Sequence, residues 1–301
     1  MTTIESSRIV ITSWVVRAPL RELYLCWSFT WGDLTATVLP ATLFAAAAWA
    51  HTGHTASSMA AIVPQCVVYF WLYIYTFNLS NQLVGVDEDR INKPHRPLVR
   101  ELLSTNGAWT RLVLATIGFL LVGLALGVAE WASLWVAAWV FHNHLGGART
   151  WWGKNAAMVV GTVAQLCAAW QIVTPLDEQA WRWILAIAVP LGILVSLQDL
   201  RDTAGDIAGR RRTAVVVFGE QRLRTVLCVM FAVYPVPLYW LLYSRAPALA
   251  SVVAAGAATI TLLISWRVVR YRNSKADNTT YMLYTCWYCL ALASAVPALA
   301  N

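Results

Sequence analysis

Apolar stretches long enough to cross a lipid bilayer recur along this chain, and they restrict its fold more than any other feature. About 20 apolar residues, wound as a helix, rise through roughly 30 Å of hydrocarbon. Nine such stretches are expected, near 23–50, 59–81, 107–129, 131–148, 155–174, 181–200, 222–244, 248–271 and 277–300. Inside lipid every backbone polar group must be satisfied within the span, which makes these stretches helices. The fourth is the weakest, because His142, Asn143 and His144 interrupt its end. The expected fold class is all-α, an integral membrane bundle of nine transmembrane helices. No repeat or flexible linker divides it, so one domain is expected over 1–301, with an N-terminal segment at 1–22.

Composition agrees. Apolar residues make up 59% of the chain and charged residues 12%, against about 45–50% and 25% in soluble globular proteins. An ordinary soluble domain and a disordered chain are both excluded. The net charge of +7 would suggest nucleic acid in a soluble protein, but here it reflects cationic loops, so no nucleic-acid partner is expected. With the N-terminus on one side and nine alternating spans, 20 of the 22 Lys and Arg fall on that side and only Arg182 and Arg245 on the other. The positive-inside rule makes the first side cytoplasmic. Residues 1–22 lack an apolar run with a small-residue cleavage site, so no cleaved signal is expected. All six cysteines lie in apolar stretches, Cys286 and Cys289 on neighbouring turns of one helix, and are read as core rather than disulfides or zinc ligands.

Six of the 15 acids gather in two clusters: Asp87, Glu88 and Asp89 after the second span, and Asp199, Asp202 and Asp206 after the sixth. Both fall on the cytoplasmic side. Asp199, Asp202 and Asp206 stand at i, i+3 and i+7, one helical face. Asn81, Gly85 and Asp89, spaced by fours, share another, with Asn78 and Gln82 beside them. Crowded carboxylates near a bilayer repel one another and lose hydration, so something cationic must compensate them. Arginines could do so as a salt-bridge network. A divalent ion such as Mg²⁺, bound through oxygen ligands and substrate phosphates, could also do so. Lys93-Pro-His-Arg96-Pro supplies basic side chains after the first cluster, and Arg210-Arg211-Arg212 after the second. Acids for a metal beside bases for phosphate suit the loss of a pyrophosphate leaving group.

These segments resemble the signature motifs of the UbiA superfamily of intramembrane prenyltransferases, whose members have nine membrane helices. The second motif matches DxxDxxGD through Asp199, Asp202, Gly205 and Asp206, with Arg211-Arg212-Thr213 behind it. The first keeps Asn81 and Asp89 of NDxxDxxxD but has Gln82 and Gly85 where Asp is usual. Trp152-Gly-Lys154-Asn155 resembles the family's connection between helices 4 and 5. The resemblance implies a central apolar cavity and Mg²⁺-assisted ionisation of an allylic prenyl diphosphate, farnesyl or geranylgeranyl. It implies Asp89, Asp199 and Asp202 as Mg²⁺ ligands, completed or supported by Asn81, Glu88 and Asp206. Asn81, Asp89, Asp199 and Asp202 form the expected catalytic set. Lys93, Arg96, Lys154 and Arg212 are expected on the diphosphate. Beyond the substrate and the lipid bilayer, no obligate partner is expected.

The altered first motif and the opening of helix 1, Phe29 to Pro40, resemble the family's UbiA-type terpene cyclase branch. That branch implies capture of the carbocation by its own double bonds. Helix 2 also carries aromatic residues leading to the metal site, and aromatic faces stabilise cations. Tyr73, Phe77 and the intramembrane acid Asp33 are the cavity candidates, while His142 and His144 are read as interfacial. Transfer to an aromatic or other small acceptor is the alternative. A transporter is a remote one, since the acids collect at helix ends on one side rather than near the midplane.

Overall fold

A computed structural model describes residues 19–53 and 56–300; most of the expected N-terminal segment lies outside them. The long helices are α1 (Pro19–Asp33), α2 (Val38–Thr52), α3 (Ala56–Asn92), α4 (Thr105–Ala125), α5 (Ala129–Asn143), α6 (Trp151–Gln171), α7 (Glu178–Ala208), α8 (Glu220–Tyr243), α9 (Ala248–Arg270) and α10 (Ser274–Leu299). Each packs against the next from α2 onward, and α10 packs against α2, closing a ring.

Polar side chains start several of these helices. Ser104, Thr150, Asp177 and Asn273 accept hydrogen bonds from the amides of Gly107, Gly153, Ala180 and Ala276, which would otherwise lack partners. Pro40, in the first turn of α2, has no amide to donate back to Ala36, which favours a break between α1 and α2. The pair α1 and α2 is bent by 73°. Many large apolar residues, such as Leu114, Leu121, Trp240 and Val252, point outward, as lipid-facing side chains do.

Helical segments occupy all nine expected positions, but not all are long, apolar spans. Six helices qualify on length and hydropathy among the described residues: α3, α4, α7, α8, α9 and α10; the bent pair α1–α2 brings the count to seven. Helix α5 has 15 residues, roughly 22 Å at the helical rise and shorter than the hydrocarbon core. Helix α6 buries Lys154, Asn155 and Gln165, which lower its hydropathy because its inner face is polar. The chain is a multi-pass membrane protein.

The second expected span, placed at 59–81, continues to Asn92, with non-helical torsions at Gly85 (φ −104°, ψ 17°). The first motif therefore lies on α3 itself and not in a loop. The second motif lies on the last section of α7, Leu197–Ala208.

Candidate active site

The helices hold between them a cavity of about 750 Å³, within the range of pockets that enclose a whole small ligand. Its lining changes character along α3. Tyr73 and Phe77 line an aromatic region, and Asn81, Glu88 and Asp89 a charged one. Tyr73 and Asp89 are 16 residues apart, roughly 24 Å along a straight helix.

At the charged end each acid meets a base. Arg96 donates to Asp89 at 2.6 Å and to Asn81 Oδ1 at 2.9 Å. Lys93 Nζ is 3.2 Å from Asp202, whose other oxygen meets Arg201 at 3.2 Å. Arg211 pairs with Glu88. Asn92 ties the two motifs together: its amide donates to Asp202 O at 2.9 Å, and its Oδ1 accepts the Gly205 amide at 3.0 Å. In the turn after α3, burial, reinforced by Arg96, pushes the Lys93 ammonium below the usual lysine range.

Most of the sequence-derived candidates meet here. Asp33, Tyr73, Phe77, Asn81, Glu88, Asp89, Lys93, Arg96, Lys154 and Asp202 all line the cavity. Three do not. Asp199 and Asp206, expected as metal ligands, are fully buried behind its wall with both carboxylate oxygens in use. Asp199 pairs with Lys154 and accepts the Ala214 amide at 3.1 Å. Asp206 accepts from Thr213 at 2.8 Å and lies 3.4 Å from Arg211. Arg212, expected on the diphosphate, is exposed. Its backbone forms a parallel bridge with Thr150, and Arg211 takes the place on the cavity.

Sequence reasoning also misplaced His142 and missed Trp135. His142 is 3% exposed and lines the cavity instead of the membrane interface. Trp135 stacks on Tyr73 with ring centroids 4.2 Å apart and on Phe77 at 5.3 Å. Neither has a spacing signature, since both belong to the weakest expected span. Asp33 accepts from Asn78 at 2.8 Å.

Among the described residues, no three His, Cys, Asp or Glu side chains converge to hold a metal unaided. The donors at the charged end are nevertheless all oxygens. Glu88, Asp89 and Asp202 fit Mg²⁺, which commonly takes one or two carboxylates and completes its shell with substrate phosphates and water.

The UbiA prenyltransferase family model matches residues 38–287. Somaliensene A/B synthase of Streptomyces somaliensis is 42% identical over 94% of this chain and 95% of its own length. The diterpene cyclase eriG of Hericium erinaceus is 36% identical, covering 92% and 90%, and the polyprenyl transferase eriF of the same fungus is 31% identical, covering 90% and 93%. A UbiA homologue from Archaeoglobus fulgidus, solved bound to GPP and Mg²⁺, shares the fold with a TM-score of 0.64 at 14% identity, covering 90% of this chain and 99% of that one.

Proposed function

This chain belongs to the UbiA prenyltransferase family, and on that premise we propose that it is a membrane terpene cyclase acting on an allylic prenyl diphosphate, farnesyl or geranylgeranyl. The observation that carries this reading is one cavity with a cationic end and a stacked aromatic wall. The two relatives at 42% and 36% identity are named as a synthase and a cyclase, which supports cyclisation over transfer. Transfer to a small acceptor is the second reading, favoured by the polyprenyl transferase relative.

In the proposed reaction Lys93, Arg96, Lys154 and Arg211 bind the diphosphate and stabilise the charge that grows on it as the allylic C–O bond breaks. Glu88, Asp89 and Asp202 would hold Mg²⁺, which when bound supplies further neutralisation of that leaving group. Asn81, held by Arg96, orients the first motif. Asp199 and Asp206 fix Lys154 and Arg211 in place from behind the wall. The prenyl chain lies against Tyr73, Trp135 and Phe77, whose faces stabilise the cation and exclude water from it. The bundle is a single domain of nine spans, with its N-terminus and both motifs on the cytoplasmic side.

Purified protein in lipid nanodiscs, given Mg²⁺ and farnesyl or geranylgeranyl diphosphate, should release pyrophosphate. Chelation by EDTA or the substitution Asp89→Ala should abolish release. Protein that binds neither substrate and releases nothing would overturn the reading.

A further inference from the structure

The aromatic wall does not end at Phe77. Its ring lies 5.6 Å from that of His142, so Tyr73, Trp135, Phe77 and His142 run in sequence along one side of the cavity. A chain of hydrogen bonds fixes how the imidazole stands. Arg96 can only donate, and it donates to Asn81 Oδ1 at 2.9 Å. The Asn81 amide nitrogen therefore donates to Asn143 Oδ1 at 3.2 Å. Asn143 Nδ2 is turned the other way, toward Ser80 Oγ at 2.9 Å. His142 Nδ1 lies 2.7 Å from the same Asn143 oxygen, an acceptor, so Nδ1 carries the proton.

In the neutral ring that leaves Nε2 with a lone pair. It has no protein partner among the described residues. The only polar side-chain atoms sealed from space without a partner there are Trp139 Nε1 and Asn155 Oδ1, so Nε2 opens on the cavity that His142 lines. Most other basic groups on the cavity are engaged, while Asp33 accepts from the neutral Asn78 amide at 2.8 Å and has no ion pair among the described residues. Asp89, Asp202 and Glu88 are each paired with a cation, and Tyr73 donates to Gly161 O at 2.9 Å.

We propose that His142 Nε2 is the proton acceptor that ends the reaction. This rests on the cyclase reading. The C–H bond beside the final carbocation breaks, its electron pair forms the C=C bond that quenches the cation, and the proton binds Nε2. The imidazolium then returns that proton to the released diphosphate or to water as the product leaves. Asn143 is the positioning residue that holds the tautomer. Asp33 is the competing base, since it lines the same cavity.

The test compares the products of wild type, His142→Phe, His142→Gln and Asp33→Asn, from farnesyl and geranylgeranyl diphosphate, per pyrophosphate released. Both His142 variants should lower the ratio of the wild-type cyclic olefin to alcohols and isomeric olefins at least tenfold. Asp33→Asn should leave that ratio within twofold. His142→Gln keeps a polar side chain of similar length, so wild-type products from it would mean that only shape matters and would overturn the proposal. So would an unchanged ratio in both His142 variants, a shift only in Asp33→Asn, or a wild-type product that is wholly alcohol. A wild type that forms no cyclic product without an acceptor overturns the cyclase reading itself, which the first arm shows separately.

Discussion

Asn92 on α3 and Gly205 on α7 meet so closely that a Cβ at 205 would lie 2.2 Å from the Asn92 amide nitrogen. That amide is held at both ends, by Asp202 O and by the Gly205 backbone. The glycine of the second motif is thus required by contact with the first. Gly205→Ala should displace Asn92 and separate the motifs. Asn92→Ala should lose both hydrogen bonds, worth about 1–3 kcal/mol together. Thermal unfolding in detergent should show a lower Tm for each variant, and pyrophosphate release should fall at least tenfold. Wild-type turnover in Gly205→Ala would show that the contact does not couple the motifs.

Asp199 and Lys154 form a pair buried on both sides. Removing one charge strands the other, at a cost of about 3–5 kcal/mol. Asp199→Asn should lower Tm markedly, and adding Lys154→Met should recover much of the loss without restoring activity. If Asp199→Asn instead kept its Tm and needed more Mg²⁺ for turnover, Asp199 would be a metal ligand and not the partner of Lys154.

Lys93 gives a pH dependence. Burial, with Arg96 adding to it, lowers its pKa below the ordinary lysine value. Diphosphate binding needs the charged form, so kcat/KM should fall as pH rises through that lowered value. Unfolding does not explain such a fall, because a lowered lysine pKa makes stability rise with pH between the folded and unfolded values. Lys93→Arg should extend the plateau to higher pH. An alkaline limb that is the same in both proteins would remove Lys93 from the diphosphate.

Phe77 bridges Trp135 and His142. A cation over a desolvated ring gains up to about 2 kcal/mol, and each 1.36 kcal/mol is tenfold in rate. Phe77→Leu should therefore slow turnover up to roughly 30-fold and broaden the product mixture. Turnover and products equal to wild type would place the cation path elsewhere.

The parts of this site that are charged were legible in the sequence, because acids and bases are scarce in so apolar a chain and Asn81, Asp89, Lys93, Arg96 and Asp202 each stand out. What each acid does was not legible. Helical spacing puts Asp199, Asp202 and Asp206 on one face, but only packing decides that Asp202 reaches the cavity while its neighbours brace Lys154 and Arg211 from behind. The choice of Arg211 over Arg212 depends on the backbone bridge from Thr150 to Arg212, which pairs residues 62 apart in the chain. His142 looked interfacial because a histidine at the end of an apolar run has no periodic signature. The packing of α5 on α3 is what turns it inward. The span count was limited by the same physics, since a helix that lines a polar cavity, such as α6, need not be apolar all round.

Incubation of the purified protein with Mg²⁺ and farnesyl or geranylgeranyl diphosphate in the absence of any acceptor, followed by mass analysis of the extracted products, tests the central claim most directly. A cyclic terpene formed in step with pyrophosphate is the expected result. Inertness until an aromatic compound is added, with the prenyl group then found on that compound, would contradict it.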